Sequence, residues 1–271
     1  MATSKLNSLN RLVVVAPHPD DEVLGCAGSI LQALEKNISV SVFYLTNGDA
    51  NRAGVSLDNH RFFPTASQYM NYGQMRRKEA EQALSTLGVA AQDSYFFGLP
   101  DLGLRALQRS GYTQTYCSAF TKAQAVPYAD AVEPHLPHTR EAVLSAICSL
   151  LGELQPSQLL LPSPADSHSD HRACTALLLE AVAHSCISPE VYAYPIHSPH
   201  WPKPAGTTIT LPLLAPTFRR SEWQSIALTT AQTRQKLAAL QAYPSQFRVP
   251  LLGKLLYSLV RSNELLLPLD I

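Results

Sequence analysis

Residues 12–16, Leu-Val-Val-Val-Ala, form an unbroken apolar run with three consecutive β-branched valines that stops at Pro17. A strand buried on both faces reads as such a run rather than as an alternation, and strands of that kind belong to parallel sheets covered by helices on each side. The rest of the chain repeats the theme. Apolar residues recur at helical spacing over 23–36, and the strand-like segment 38–45 ends at the turn signal Asn47-Gly48-Asp49. Helical periodicity returns at 76–87 and stops at Gly88, and a short strand covers 94–97. Helix 138–154, strand 157–161, helix 170–185 and strand 190–194 follow. This alternation predicts an α/β, doubly wound, mostly parallel sheet with helices on both faces. Prolines then break 195–216 into an irregular stretch suited to edge strands and turns, and a helix is expected over 221–242. With 271 residues, the chain 1–271 suits a single domain. The connection 99–137 far exceeds the roughly two to six residues usual between such elements and is expected to be an insertion serving as a lid.

Charge narrows the partners. The 21 basic residues balance the 21 acidic ones, so there is no cationic surplus of the kind that binds nucleic-acid phosphates or anionic membranes. A small molecule is the expected partner, with no nucleic acid; a homo-oligomer is compatible with the composition. The five cysteines show no CxxC spacing and their odd number suits a reducing compartment. No apolar run nears the roughly 18 residues of a membrane span, so no integral membrane segment and a cytoplasmic location are expected.

The chemistry concentrates in two clusters, each directly after a predicted strand. Pro17-His18-Pro19-Asp20-Asp21-Glu22 follows the first. Prolines on both sides of His18 hold the chain extended and take it off the sheet at the strand's carboxyl edge. The three acids open a helix, whose dipole favours ionised carboxylates able to bind a metal or accept a proton. Capping alone would need fewer acids and no locked histidine. The second cluster, Asp166-Ser167-His168-Ser169-Asp170-His171, follows the fourth strand and runs into a helix. Two histidines three apart with an aspartate between them match a metal ligand beside a hydrogen-bonded catalytic partner. In Rossmann-like sheets ligands bind outside the carboxyl ends where strand order reverses, commonly between the first and fourth strands, so both clusters should face one crevice. His18, one carboxylate of the Asp20/Asp21 pair and His171 then form a three-ligand catalytic zinc set, with the spare carboxylate free as general base. Two histidines and a carboxylate would also hold Fe²⁺.

These residues resemble the LmbE-like family of metal-dependent de-N-acetylases, which includes the N-acetylglucosaminyl-phosphatidylinositol (PIG-L) deacetylases. The matching segments are PHPDDE (17–22), HSDH (168–171), RRKEAEQALSTLGV (76–89), GLPD (98–101) and KLAALQAYPSQ (236–246), spread over most of the chain. The resemblance implies one Zn²⁺ per chain held by His18, Asp21 and His171, with Asp20 as general base. It also implies His168 as the group that stabilises the tetrahedral intermediate or protonates the leaving amine, Asp170 as its orienting partner, and Arg76 near the substrate. Ser169 stands where relatives often have proline, and Asp166 where some have a catalytic tyrosine; no role follows for Asp166. The implied activity is removal of the N-acetyl group from an N-acetylglucosamine-type amino sugar or its conjugate. One rival is an amidase cleaving a larger acyl group from a thiol or antibiotic conjugate, and the other is a metal- or nucleotide-binding module without turnover. His60, His135, His138, His184, His197 and His200 lack a paired motif, although His197 and His200 are placed to line a pocket rim. Trp201 and Trp223 are expected to fill the core, and Gly25 and Gly28 to permit close packing of the first helix against the sheet.

Overall fold

The structure, a computed structural model, describes residues 11–249 and 252–270. Strands β1 (Arg11–Ala16), β2 (Ser39–Thr46), β3 (Ser94–Leu99), β4 (Gln158–Pro162) and β5 (Glu190–Tyr194) pair in parallel in the order β3-β2-β1-β4-β5. Strand β6 (Gln224–Ala227) pairs antiparallel with β7 (Asn263–Leu269), which itself lies antiparallel beside β5 and extends the sheet to seven strands. Strand order reverses at β1, which pairs through Leu12 with Val40 on one side and with Gln158 on the other. The alternating valines of β1 face different cores. Val14 packs with helix α1 (Asp21–Glu35), whereas Val13 and Val15 pack on the opposite face with helix α6 (Ser169–His184). The loops after β1 and β4 therefore diverge to opposite faces and leave a crevice between them, at the carboxyl edge where both acidic clusters lie.

The structure corrects several expected boundaries. Helix α2 (Arg52–Asn59) was not anticipated, and helix α3 begins at Ala66 and runs to Leu87 because Thr65 and Gln68 close a capping box at its start. No helix covers 221–242. A short 3-10 turn, strand β6 and then helix α7 (Thr230–Leu240) occupy that stretch. Thr229 sets the break, its hydroxyl accepting from Gln232 N at 3.1 Å while Gln232 Oε1 accepts from Thr229 N at 2.9 Å. Among the described residues, 195–216 holds no strand. That stretch is anchored by buried Arg261, which donates to the carbonyls of Pro204 at 2.9 Å, Thr208 at 3.3 Å and Gly206.

Segment 99–137 carries helix α4 (Leu104–Arg109) and packs against the flank of the sheet. Leu104, Leu107, Val126, Tyr128 and Leu136 are buried there in the same core as helix α5 (Arg140–Leu154) and α6. Short helices α8 (Pro244–Phe247) and α9 (Leu252–Ser258) follow α7 and lead into β7.

Candidate active site

The turn between β1 and α1 is tied down before the helix begins. The Pro17 carbonyl accepts from Thr46 N at 3.0 Å and from Thr46 Oγ1 at 2.9 Å, fixing the exit of β1 to the end of β2. Asp20 then adopts φ 117, ψ −29, a conformation that costs a non-glycine residue on the order of 1–3 kcal/mol and persists only when its surroundings enforce it. Three groups do so. Glu22 Oε2 accepts from Asp20 N at 3.0 Å, Tyr243 donates its hydroxyl to Glu22 Oε1, and Arg76 donates to Pro19 O. The neighbouring carboxylates point to different partners. Asp20 Oδ2 accepts from Arg76 Nη2 at 3.1 Å, whereas Asp21 Oδ2 lies 3.2 Å from both His18 Nδ1 and His171 Nε2.

After β4, Asp166 organises the histidines. Its Oδ2 lies 3.1 Å from His171 Nδ1 and accepts from His197 N at 3.0 Å, while its Oδ1 accepts from His168 N at 2.8 Å. Asp166 is thus central to the site although its sequence position assigned it no role. Asp170 was expected to orient His168; the structure places its buried carboxylate beside His18 instead, with Oδ2 at 3.8 Å from His18 Nε2. The helical turn from His168 to His171 explains this, because Asp170 and His168 leave the helix start in different directions. Arg76 lines the cavity but spends its guanidinium on Asp20, Pro19 and Gly48 O, the last at 3.1 Å. Arg77 lies over the Phe96 ring and pairs with Asp130, which settles which of the two arginines faces the site.

Two further participants carried no catalytic or ligand role in the sequence reading, which noted Asp101 only as the end of the GLPD segment and His197 only as a pocket-rim residue. Asp101, from the loop after β3, brings Oδ1 to 3.1 Å from His18 Nε2 while its Oδ2 accepts from Ala50 N at 2.8 Å. His197, from the loop after β5, sets its ring 4.9 Å from that of His171. Both stand at the carboxyl end of a parallel strand, and that placement was the available signal. Together these groups line a cavity of about 250 Å³ that includes His18, Asp20, Asp21, Asp101, His168 and His197. His60, His135, His138, His184 and His200 lie outside it.

The electrostatics separate the roles. Burial pushes the Asp20 carboxyl up to about 7 against the pull of Arg76, whereas for Asp21 burial is overcome by His171 and His18, which hold it well below the usual carboxylate range. Burial would lower His171, yet Asp21 and Asp166 raise it to about 9. Burial and the neighbouring His18, His171 and His197 drive His168 down to about 3. The donor set fits a divalent cation. Both buried oxygens of Asp170 have no hydrogen-bond partner, and His18 Nε2 and His171 Nε2 face carboxylate oxygens of Asp101 and Asp21 at 3.1 and 3.2 Å without the alignment of a hydrogen bond. Three groupings bring ligand atoms within 4.8 Å of one another: His18 with His168 and His171, Asp21 with His171 and His197, and His18 with Asp101 and Asp170. Mixed imidazole and carboxylate donors suit zinc and similar ions.

The diacetylchitobiose deacetylase of Thermococcus kodakarensis is 24% identical over 180 residues, covering 65% of this chain and 51% of that protein, so the chain spans about half the length of this relative. The 1D-myo-inositol 2-acetamido-2-deoxy-alpha-D-glucopyranoside deacetylase of Mycolicibacterium smegmatis is 23% identical over 279 aligned positions, covering 95% of this chain and 86% of that one. Among solved structures, a triple mutant of the deacetylase of the teicoplanin biosynthetic pathway aligns at TM-score 0.60 and 18% identity, covering 95% of this chain and 97% of that one. GalB, the 4-carboxy-2-hydroxymuconate hydratase of Pseudomonas putida KT2440, aligns at TM-score 0.57 and 19% identity, covering 93% and 82%. The fold thus carries more than one chemistry. The profile of the GlcNAc-PI de-N-acetylase (PIG-L) family matches residues 13–182, which hold both acidic histidine clusters, and the chain belongs to that family.

Proposed function

We propose that the protein hydrolyses the acetamido group of an N-acetylated amino sugar or its conjugate, releasing acetate and a free amine, and that 1–271 acts as one catalytic unit. The observation that carries this reading is the division of labour between adjacent carboxylates. Asp21 is turned to His18 and His171, whereas Asp20 is held apart by Arg76 in the same cavity. His18, Asp21 and His171 would hold one Zn²⁺ or a similar divalent ion. Such an ion supplies Lewis acidity, polarising the amide carbonyl and making water easier to deprotonate.

The chain's own groups do the rest. Asp20, with a pKa near 7, accepts the water proton at a pH where a base of that strength is both ionised and effective. As the water oxygen bonds to the acyl carbon, neutral His168 donates a hydrogen bond to the developing oxyanion. The C–N bond then breaks, and the amine nitrogen takes the proton that Asp20 received. Asp166 keeps the His171 ring oriented, and Arg76 keeps Asp20 aimed at the cavity. Names of the relatives, a diacetylchitobiose deacetylase among them, support an N-acetyl sugar as substrate. The test is acetate release by the purified protein from a panel of N-acetylated amino sugars. Acetate should appear with at least one, and a purified, metal-loaded protein that releases none from any would overturn the reading.

A further inference from the structure

The cavity joins its polar cluster to an apolar wall that reaches solvent at Leu102, its mouth. Leu24 from α1 and Leu252 and Leu256 from α9 line it together with Leu102, which is 46% exposed. Leu102 sits in the turn closed by the Gly103 N to Pro100 O hydrogen bond and is held at φ 57. That left-handed position usually falls to glycine or asparagine. A leucine there costs backbone energy and exposes an apolar side chain to water, at a position adjoining Asp101, which lies against His18.

The same wall is poor in positive charge. Arg76 is the one permanently charged cation lining the cavity among the described residues; its Nη1 and Nη2 are engaged by Gly48, Pro19 and Asp20, and its Nε is buried out of reach of solvent. Asp20, Asp21 and Asp101 line it as well. A phosphate or carboxylate on the sugar would meet these acids with no uncommitted arginine or lysine to receive it, whereas an alkyl or aryl group would find leucines. We infer that the cavity takes N-acyl amino sugars carrying an uncharged apolar substituent in preference to the free or the phosphorylated sugar; this rests on the deacetylase reading. The substituent can come from either side of the amide, on the sugar as an aglycone or on the nitrogen as a longer acyl chain.

The experiment compares kcat/KM for N-acetylglucosamine, its 6-phosphate, its octyl glycoside below the micelle concentration, and N-octanoylglucosamine. In parallel, calorimetry gives Kd for the amine products glucosamine, glucosamine 6-phosphate and octyl glucosaminide. Each methylene buried at the mouth is worth about fourfold, so one octyl arm should exceed the free sugar by at least about tenfold. The arm that gains identifies which side carries the substituent, and the 6-phosphate should fall below the free sugar. Leu102→Gly, which relieves the left-handed backbone, and Leu252→Ser should each shrink the preference to within roughly threefold, because each removes methylenes from the mouth. Equal efficiencies and affinities across the panel, a preference for the phosphate, or an octyl preference untouched by both variants would overturn the inference. No release from any sugar alongside a retained octyl preference in calorimetry would instead remove the deacetylase reading and leave the apolar mouth standing.

Discussion

Asp20 and Asp21 are chemically identical neighbours, and the left-handed backbone at Asp20 is what sends them to different partners. Asp20→Asn keeps size and polarity but cannot take a proton, so turnover should fall by roughly 10² to 10⁴ with metal content unchanged. Asp21→Asn should lose the metal. Measuring bound metal and kcat for both variants decides between them; metal lost from the first and kept by the second would reverse the roles. Asp166→Asn should weaken metal affinity by about 10- to 100-fold while leaving the ligands themselves in place, because only the support of His171 is altered. An unchanged metal Kd would show that the His171 ring needs no such support. His18, Asp20, Asp21, His168 and His171 were legible in the sequence because each stands in a short motif beside a predicted strand end. Asp101 and His197 were legible only as the end of a matched segment and as a pocket-rim residue, since single residues on separate loops converge only when the sheet brings strand ends together. Asp170 was found but given the wrong neighbour, because i,i+2 spacing at a helix start does not reveal which side chain turns where.

At the level of elements, α1 is the piece on which the site depends, and it reaches its place through close backbone approach. A Cβ at Gly25 would lie 2.3 Å from the Tyr194 ring at the end of β5, so Gly25→Ala should destabilise by about 1–3 kcal/mol and disturb the start of α1. Urea denaturation measures the first effect and metal affinity the second; wild-type values in both would remove the packing argument. The close contact was anticipated, but other elements were not. Strand β7 carries a proline and an unbroken apolar run near the end of the chain, and β6 merges into the following helical pattern, so local periodicity could not separate them. Only their mutual pairing does. His138, just before α5, gives a pH test outside the active site. Burial pushes its pKa down to about 4, against the pull of the Ala123 and Tyr116 backbone. Because the unfolded chain takes up this proton near pH 6.5, stability is intact above that pH and falls as the pH drops towards 4, by about 3 kcal/mol at most from this group. His138→Leu should remove that component, so wild type and variant should diverge in urea midpoint between pH 7 and pH 4.5. Parallel pH profiles for the two proteins would show that His138 contributes nothing.

For the molecule as a whole, the alternation of strands and helices made the doubly wound sheet legible, since short apolar strand runs such as those of β1 and β4 alternate with segments of helical period. The antiparallel extension by β7 and β6 was hidden because its pairing is non-local. The two apolar layers on opposite faces of that sheet are built from residues away from the histidine and carboxylate cluster, so the fold should not depend on a bound ion. The site nonetheless couples both halves, because His18 and Asp21 follow β1, His171 follows β4, and Asp101 and His197 enter from β3 and β5. An ion bound to this cluster would tie these four loops to the native arrangement and none of them in the unfolded chain. At free zinc about 100 times Kd the expected stabilisation is about 2.7 kcal/mol, or roughly 5–10 °C in Tm for a chain of this size. Chelation should therefore lower Tm while leaving the far-ultraviolet circular dichroism of the native state unchanged. His171→Ala should abolish the zinc-dependent shift and Asp20→Asn should retain it, which separates ligation from proton transfer without any activity assay. A zinc-dependent Tm that persists in His171→Ala would place the ion on the His18, Asp101 and Asp170 grouping instead, and a wild-type Tm indifferent to zinc would mean that this cluster holds no ion at all.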